Sequence, residues 1–407
     1  MQFLESILQA LASLKANKLR SILTLIGVII GVMTVIAVTS IVAGMNRYVA
    51  NELSELGPTT FFIDKWGIIT SEDEWFKALK RKDLTLADLE AVKVYCTSCE
   101  KVGAMAQTYG RVKYGNQHIS DVEIHGATPN IEQITSVVTD YGYYPTEYDN
   151  DHRNQVTLIG WAIADKLFPG LDPLGKRISI GGNSFSVVGV AQKRGSFLGQ
   201  NQDNFVSVPL NTYQKLFQKK RFDWFAIFVK ARDYPTIEKA KDECRLILRA
   251  RRHVPYKEED DFSFQSSESL MQVFHSFTAG AFIVMIGISS IALLVGGIVI
   301  MNIMFVSVKE RTKEIGIRKA MGARRRNILW QFVVEATTIS LVGGIIGVIF
   351  GGVIGKLVDM LTPLPAAIEI WAVVAGILVA GFVGLFFGIY PAMKAARLDP
   401  VEALRYE

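Results

Sequence analysis

Apolar residues along this chain gather into four long runs with polar sequence between them. Ser21–Asn46 carries no charged residue, and its apolar core is Ile22–Ala43. Ala279–Val308 is the second run, Ile328–Gly355 the third, interrupted by Glu335, and Ile370–Ala392 the fourth. Crossing a hydrocarbon layer takes ~20 apolar residues. The pattern therefore predicts membrane helices over 21–44, 279–308, 328–355 and 370–392. Ahead of them, Phe3, Leu4, Ile7, Leu8, Leu11 and Leu14 recur at helical spacing, followed by Lys15, Lys18 and Arg20. That spacing predicts an amphipathic helix over 1–20 lying in the interface plane. Residues 45–278 are rich in charge and contain no spanning run. Short β-like runs (Val156–Ile159, Arg177–Ile180, Phe185–Val190, Phe205–Pro209) alternate there with helical patches at Trp161–Phe168 and Thr236–Ala250, which predicts an α+β domain. Met45–Leu56 and Phe262–Phe277 have helical spacing and adjoin spans, so they read as a helical stalk.

Lys309–Asn327 decides the orientation. It holds Lys309, Arg311, Lys313, Arg318, Lys319, Arg324, Arg325 and Arg326 against Glu310 and Glu314. A basic residue at the bilayer centre costs about 2.5–3.5 kcal/mol, and short Lys/Arg-rich loops stay cytoplasmic. Both termini are then inside, as is the tail 393–407. The domain 45–278 and the loop 356–369 are outside. The basic stretch also reads as a short helix. Glu310 and Glu314 are four apart on one face, Ile317, Ala320 and Met321 form an apolar face, and Gly322 is placed to end it. Either it is a solvated loop that only sets topology, or it is a docking helix for a cytoplasmic partner.

Small residues line the spans. Gly343, Gly347, Gly351 and Gly355 recur every four residues, as do Ala372, Gly376, Ala380, Gly384 and Gly388; the first span has Gly27 and Gly31. Such rows let helix backbones approach closely. Polar pathways through membranes carry intramembrane charges. Only Glu335 qualifies, near the cytoplasmic end of its span, so the spans read as rods rather than as an ion relay or a wide hydrophilic channel.

The chain has 407 residues, 50% of them hydrophobic, and a net charge of +5 held largely in the basic stretch and the two ends. No basic patch elsewhere suits nucleic acid. Cys96 and Cys99 form a single C-x-x-C, open to a disulfide, to unpaired thiols, or to metal or redox chemistry. Gly170–Arg177, GLDPLGKR, approaches a phosphate-binding loop but ends in Arg where a hydroxyl is needed, and it lies between a helical patch and a strand. His118, His125, His152, His253 and His275 have no metal-ligand spacing, and no catalytic grouping stands out. An enzyme reading has no support.

The tail YPAMKAARLDPVEALRYE (Tyr390–Glu407) resembles the closing signature of MacB-type ABC transporter permeases, the type VII group that includes FtsX-like proteins. KEIGIRKAMGARRRNILWQFVVEA (Lys313–Ala336) resembles that group's cytoplasmic loop and third span, and NKLRSILTLIGVIIGVMTVIA (Asn17–Ala37) its first span. Val156–Val190 and Gln202–Leu210 resemble its periplasmic domain. The resemblance implies an α-helical membrane protein with four transmembrane helices and a large α+β extracytoplasmic domain on a stalk. It implies a porter-like part, about Asn51–Asn116 and Phe222–Asp261, with a sabre-like part inserted. It implies a bacterial inner-membrane location and a dimer with a second permease copy. It implies a separate ABC ATPase that binds ATP and Mg, with no cofactor on this chain. It extends to a periplasmic adaptor and an outer-membrane channel. Glu310, Arg311, Glu314, Ile315, Ile317, Arg318, Lys319 and Met321 would couple to the ATPase. The function implied is ATP-driven export of an amphipathic compound or peptide by mechanotransmission. The alternatives are an FtsX-like regulatory subunit and a lipoprotein-release permease.

Overall fold

The computed structural model describes residues 18–55, 57–135, 137–197, 199–217 and 224–405. The expected interfacial helix over 1–20 lies outside these residues except for its last three. The chain divides into two compact units, 1–48 with 275–407, and 49–274.

Helix α1, Lys18–Glu55, is the first element among the described residues. Strand β1 (Thr60–Asp64) follows, then α2 (Glu72–Lys80) and α3 (Leu86–Tyr95). Each of these helices starts where a hydroxyl can cap it: Ser71 accepts from the Glu74 amide, and Thr85 forms a reciprocal box with Asp88. Next come β2 (Cys99–Tyr114), β3 (Gln117–Ala127), β4 (Thr139–Gly142), α4 (Glu147–Asp151), β5 (Val156–Ile159) and α5 (Trp161–Leu167). The unit continues through β6 (Arg177–Ile180), β7 (Asn183–Ala191), β8 (Ser196–Phe197), β9 (Gln200–Asn201), β10 (Phe205–Pro209), α6 (Leu210–Leu216) and β11 (Trp224–Ala231). It ends with α7 (Ile237–Arg252) and β12 (Ser263–Ser266).

The sheet order is β12-β1-β11-β2-β3-β10-β5-β7-β4, with β6 paired to both β2 and β7. Those last pairings close a ring: β2, β3, β10, β5, β7 and β6 form a small barrel, which has no free edge. Val112, Ile124, Ile180, Phe185, Val187, Val206 and Val208, all nearly inaccessible, belong to its packed core. The same sheet continues from the first half of β2 through β11, β1 and β12, and this part belongs with α3 and α7. The porter-like and sabre-like parts thus share one strand. The expected boundary at Asn116 falls in the turn after β2, whereas the barrel begins inside that strand, where Val112 pairs with Ile180. One apolar core runs through both parts, from Phe61 and Leu248 to Phe185.

Helix α7 buries Ala240, Cys244, Leu248 and Arg252, a stripe at four-residue spacing. The buried Arg252 donates to Asp261 at 2.8 Å, to Asp88 at 3.0 Å and to the Lys82 carbonyl at 2.7 Å. The end of α7 is thereby tied to the start of α3.

The expected stalk segment Phe262–Phe277 is only partly helical. Ser263–Ser266 is strand β12, paired to β1, and α8 begins at Ser267. The Gln265 amide donates to the buried Asp64 carboxylate at 2.9 Å, a partner available only in the strand register. Helix α8 runs Ser267–Glu310, followed by α9 (Thr312–Ala320), α10 (Arg325–Leu361), α11 (Ile370–Arg397) and α12 (Pro400–Arg405). Among the described residues, α1, α8, α10 and α11 are long and apolar enough to cross a membrane. At ~1.5 Å per residue, the 44 residues of α8 exceed the hydrocarbon thickness about twofold.

Arg252→Ala is expected to destabilise the 49–274 unit by about 3–5 kcal/mol, since it takes the cation from Asp261 and leaves the buried Asp88 with Arg251 alone. Guanidinium unfolding followed by tryptophan fluorescence checks this; a change below about 1 kcal/mol would mean the ion pairs are not coupled to folding.

Candidate functional site

The basic stretch forms a corner joining three helices. Helix α8 ends at Glu310, Arg311 breaks the helical path (φ −98°, ψ 13°), and α9 starts at Thr312. Glu310 and Glu314 therefore do not lie on one continuous helix face, contrary to the spacing argument. The break turns Ile315 inward, 4% exposed, into the apolar cluster of Met304, Val308 and Ile328. Ile317 and Met321, expected on one apolar face, are 46% and 77% exposed. Gly322 closes the segment at φ +92°, a conformation natural to glycine.

The charged residues divide into two groups. Arg311 donates to Glu335 at 3.3 Å, and that carboxylate is 3% exposed. The one acidic residue inside a span is thus a partner of the corner. Arg318 donates to Gln331 at 2.7 Å and pairs with Glu314 at 2.5 Å, joining α9 to α10. Lys319 donates to the Ala396 and Leu398 carbonyls, each at 2.6 Å, and so caps the end of α11. Lys313 and Ile317 of α9 and Met321 just past its end, four residues apart in turn, are exposed, as are Glu314 and Ala320. A cleft of about 450 Å³ beside α9 is lined by Phe305, Val308, Lys309, Thr312, Lys394 and Leu398.

The glycine rows sit at helix crossings. A Cβ on Gly27 would meet the Gly296 backbone, and one on Gly31 would come within 2.6 Å of Leu293. Cβ atoms on Gly343, Gly347 and Gly351 would press on Val28, Val32 and Ile36 of α1, at 3.3, 2.9 and 2.8 Å. Gly376 lies against Val32 and Ile36, and Gly384 and Gly388 lie against Ser340 and Ala336 of α10.

In the other unit, Cys96 ends α3 and is bonded to Cys99, the first residue of β2. Sequence spacing gave no hint of the third member: Cys244 of α7 places its sulfur 3.8 Å from that of Cys99 and 3.9 Å from that of Cys96. Burial pushes the Cys244 thiol up to about 12. Among the described residues these three form the one group of three or more His, Cys, Asp or Glu side chains close enough to hold an ion. The Gly170–Arg177 loop runs from α5 into strand β6, the reverse of a phosphate loop. His125 pairs with Glu123 at 3.2 Å and stacks on Phe205.

Residues 21–246 match the family described as MacB-like periplasmic core domain, and residues 286–400 the FtsX-like permease C-terminal family. A macrolide export ATP-binding/permease protein MacB from Bdellovibrio bacteriovorus is 32% identical over 408 residues, covering all of this chain and 62% of the relative's own length. An ABC transporter permease of Bacillus subtilis, YknZ, described as uncharacterized, is 32% identical over 409 residues and is covered end to end, as is this chain. The crystal structure of the periplasmic region of MacB from Actinobacillus actinomycetemcomitans aligns at 18% identity over 56% of this chain and 97% of that one, with a TM-score of 0.46. The chain belongs to the MacB-like, FtsX-like permeases of ABC transporters.

In the Arg311→Met/Glu335→Gln cycle, the two losses of thermal stability in detergent should be non-additive by about 0.5–3 kcal/mol. Strict additivity would show that the pair is not an interaction.

Proposed function

We propose that this chain is the membrane subunit of an ATP-driven exporter, worked by an ABC ATPase that docks on the exposed face of α9. The family assignment supports the transport role. The observation that carries the docking site is the division of side chains at the corner. Ile315, Arg311, Arg318 and Lys319 hold α9 rigidly to α8, α10 and α11, while Lys313, Ile317 and Met321 are left facing out. A rigid corner with apolar anchors on one face suits the transfer of a push into the spans. The ATPase is proposed as a separate chain; it would bind ATP and Mg, and this chain would bind neither. In this reading the corner and both termini are cytoplasmic and the 49–274 unit lies outside, which the Lys/Arg-rich stretch supports.

A second permease copy fits α8. Added Cβ atoms at Gly280 and Gly287, seven residues apart, would meet nothing within 4 Å, unlike those at the glycines of α1, α10 and α11. The exported species is proposed as an amphipathic compound or peptide, in keeping with a macrolide exporter among the relatives. An adaptor and an outer-membrane channel would carry it onward. Should the corner couple an ATPase while no compound moves, the FtsX-like regulatory reading replaces export.

Ile317→Asp combined with Met321→Asp should weaken ATPase co-purification by roughly tenfold or more, as loss of interface anchors does, at unchanged permease yield. Retention of wild-type amounts of ATPase by this variant would move the docking site elsewhere. Charge reversal at Arg318 and Lys319 makes a poorer probe, since it also cuts the ties to Gln331, Ala396 and Leu398.

A further inference from the structure

The three cysteines lie on separate elements, α3, β2 and α7, yet their sulfurs converge. We propose that Cys96, Cys99 and Cys244, once the disulfide is reduced, are a three-thiolate site for a single thiophilic cation of the Zn(II) class.

The geometry favours a metal over thiol chemistry. Zinc–sulfur bonds are about 2.3 Å, so sulfurs grouped around one such ion stand about 3.8–4.0 Å apart by the same distance. The two edges of the triangle that involve Cys244 are already 3.8 and 3.9 Å. The third edge is the disulfide, which opens on reduction to the C-x-x-C pair, a spacing suited to chelating one ion. Thiol–disulfide exchange requires attack along the S–S axis. An attacking sulfur would then stand about 2 Å farther from the leaving sulfur than from the one attacked. Cys244 is almost equidistant from the two. It lies beside the bond, where exchange is unfavourable and a shared ion is well placed.

The surroundings hold the arrangement. Glu243, next to Cys244, accepts from the Thr97 and Ser98 amides at 2.8 and 2.9 Å and from the Ser98 hydroxyl at 2.7 Å. It pins the C-x-x-C turn to α7 independently of the sulfurs. Cys244 is fully buried between Ala240 and Leu248, both also at 0% exposure. Such a setting keeps the thiol out of reach of bulk oxidants and fixes its direction.

The chemistry balances as follows. A dithiol reductant passes two electrons to the Cys96–Cys99 bond, giving two cysteine thiols, and is itself oxidised to a cyclic disulfide. Zn(II) then forms three Zn–S bonds as the three thiols release three protons. The site carries one net negative charge, and a water can fill the fourth position of a tetrahedral ion. The ion would bind the end of α3, the start of β2 and the middle of α7 together, in place of a link confined to α3 and β2.

The test uses the full-length permease in detergent, reduced with dithiothreitol, desalted without oxygen and titrated with Co(II), then Zn(II). The expected result is one Co(II) per chain with a thiolate-to-cobalt charge-transfer band, displaced by Zn(II), and protection of the reduced Cys96 and Cys99 thiols from a thiol reagent once the ion is bound. Protein that has not been reduced should show no band. Cys244→Ser, and separately Cys99→Ser, should weaken binding by more than ~100-fold, beyond the loss caused by removing an outer-shell partner. Tryptophan fluorescence and gel filtration verify that each variant is folded. Wild-type affinity in folded Cys244→Ser would overturn the proposal by reducing the site to the C-x-x-C pair. A fully reduced wild-type chain that gives no charge-transfer band would overturn it outright.

Discussion

Close approach of helix backbones is the constraint on which the membrane unit depends. In hydrocarbon, apolar side chains gain nothing by leaving lipid, so helices associate through close packing and hydrogen bonds. Helix α1 shows how this is met. Val28, Val32 and Ile36, all nearly inaccessible, form one stripe that fills the groove left by Gly343, Gly347 and Gly351 of α10. On another side, Gly27 lies against Gly296 of α8. A methyl group at Gly347 would meet the Ile29 carbonyl at 2.9 Å, so that crossing has no room for alanine without a shift of backbone. Helix α11 repeats the device at Gly384 and Gly388, and Ser340 adds a 2.6 Å hydrogen bond to the Ala380 carbonyl. With the contacts concentrated on these rows, the other faces stay apolar and exposed, as at Ile283, Ile291, Phe382 and Phe386.

Much of this was legible in the sequence, because length, charge exclusion and four-residue periodicity are local properties. The four spans and the glycine rows needed no knowledge of partners. The corner was less legible for a definite reason. Spacing assigns residues to a face only while the helix is unbroken, and Arg311 breaks it. Glu310 and Glu314, on either side of the break, therefore do not share a face, and the spacing that groups Ile317 with Met321 does not reveal that Ile315 is the residue withdrawn into the core. Glu335 was visible as an isolated charge. Its partner Arg311 lies 24 positions away on a different element, and no periodicity relates the two.

The 49–274 unit divides along the same line. Val156–Ile159, Arg177–Ile180, Phe185–Val190 and Phe205–Pro209 were readable as strands and are β5, β6, part of β7 and β10. Strand β2, which joins the sheet to the barrel, was not. Its inward positions Ala104 and Ala106 are small, and Gly103 and Gly110 interrupt the expected β-branched pattern. Small residues there have a cause in the packing: a Cβ on Gly103 would meet Asn130 and Thr128, and one on Gly110 would meet Ile124. Ser263–Ser266 was overridden in a similar way. Its helical spacing is compatible with α8, but pairing with β1 offers a ladder and an acceptor for Gln265.

Helix α7 links these observations. Its sequence is strongly charged, yet a single stripe, Ala240, Cys244, Leu248 and Arg252, is withdrawn from solvent. The helix is therefore positioned by very few side chains, and each must meet its neighbours well. Arg252 does so through Asp88 and Asp261, and Glu243 through the amides of the C-x-x-C turn. Both devices grip α3, one at its start and one just past its end. A cysteine in the middle of such a stripe would ordinarily be no more than a small apolar filler. Here the two clamps fix α7 against α3 at both ends. Cys244 is consequently held beside Cys96 and Cys99 by contacts that do not involve sulfur, so its nearness to them does not depend on which sulfur bonds are present.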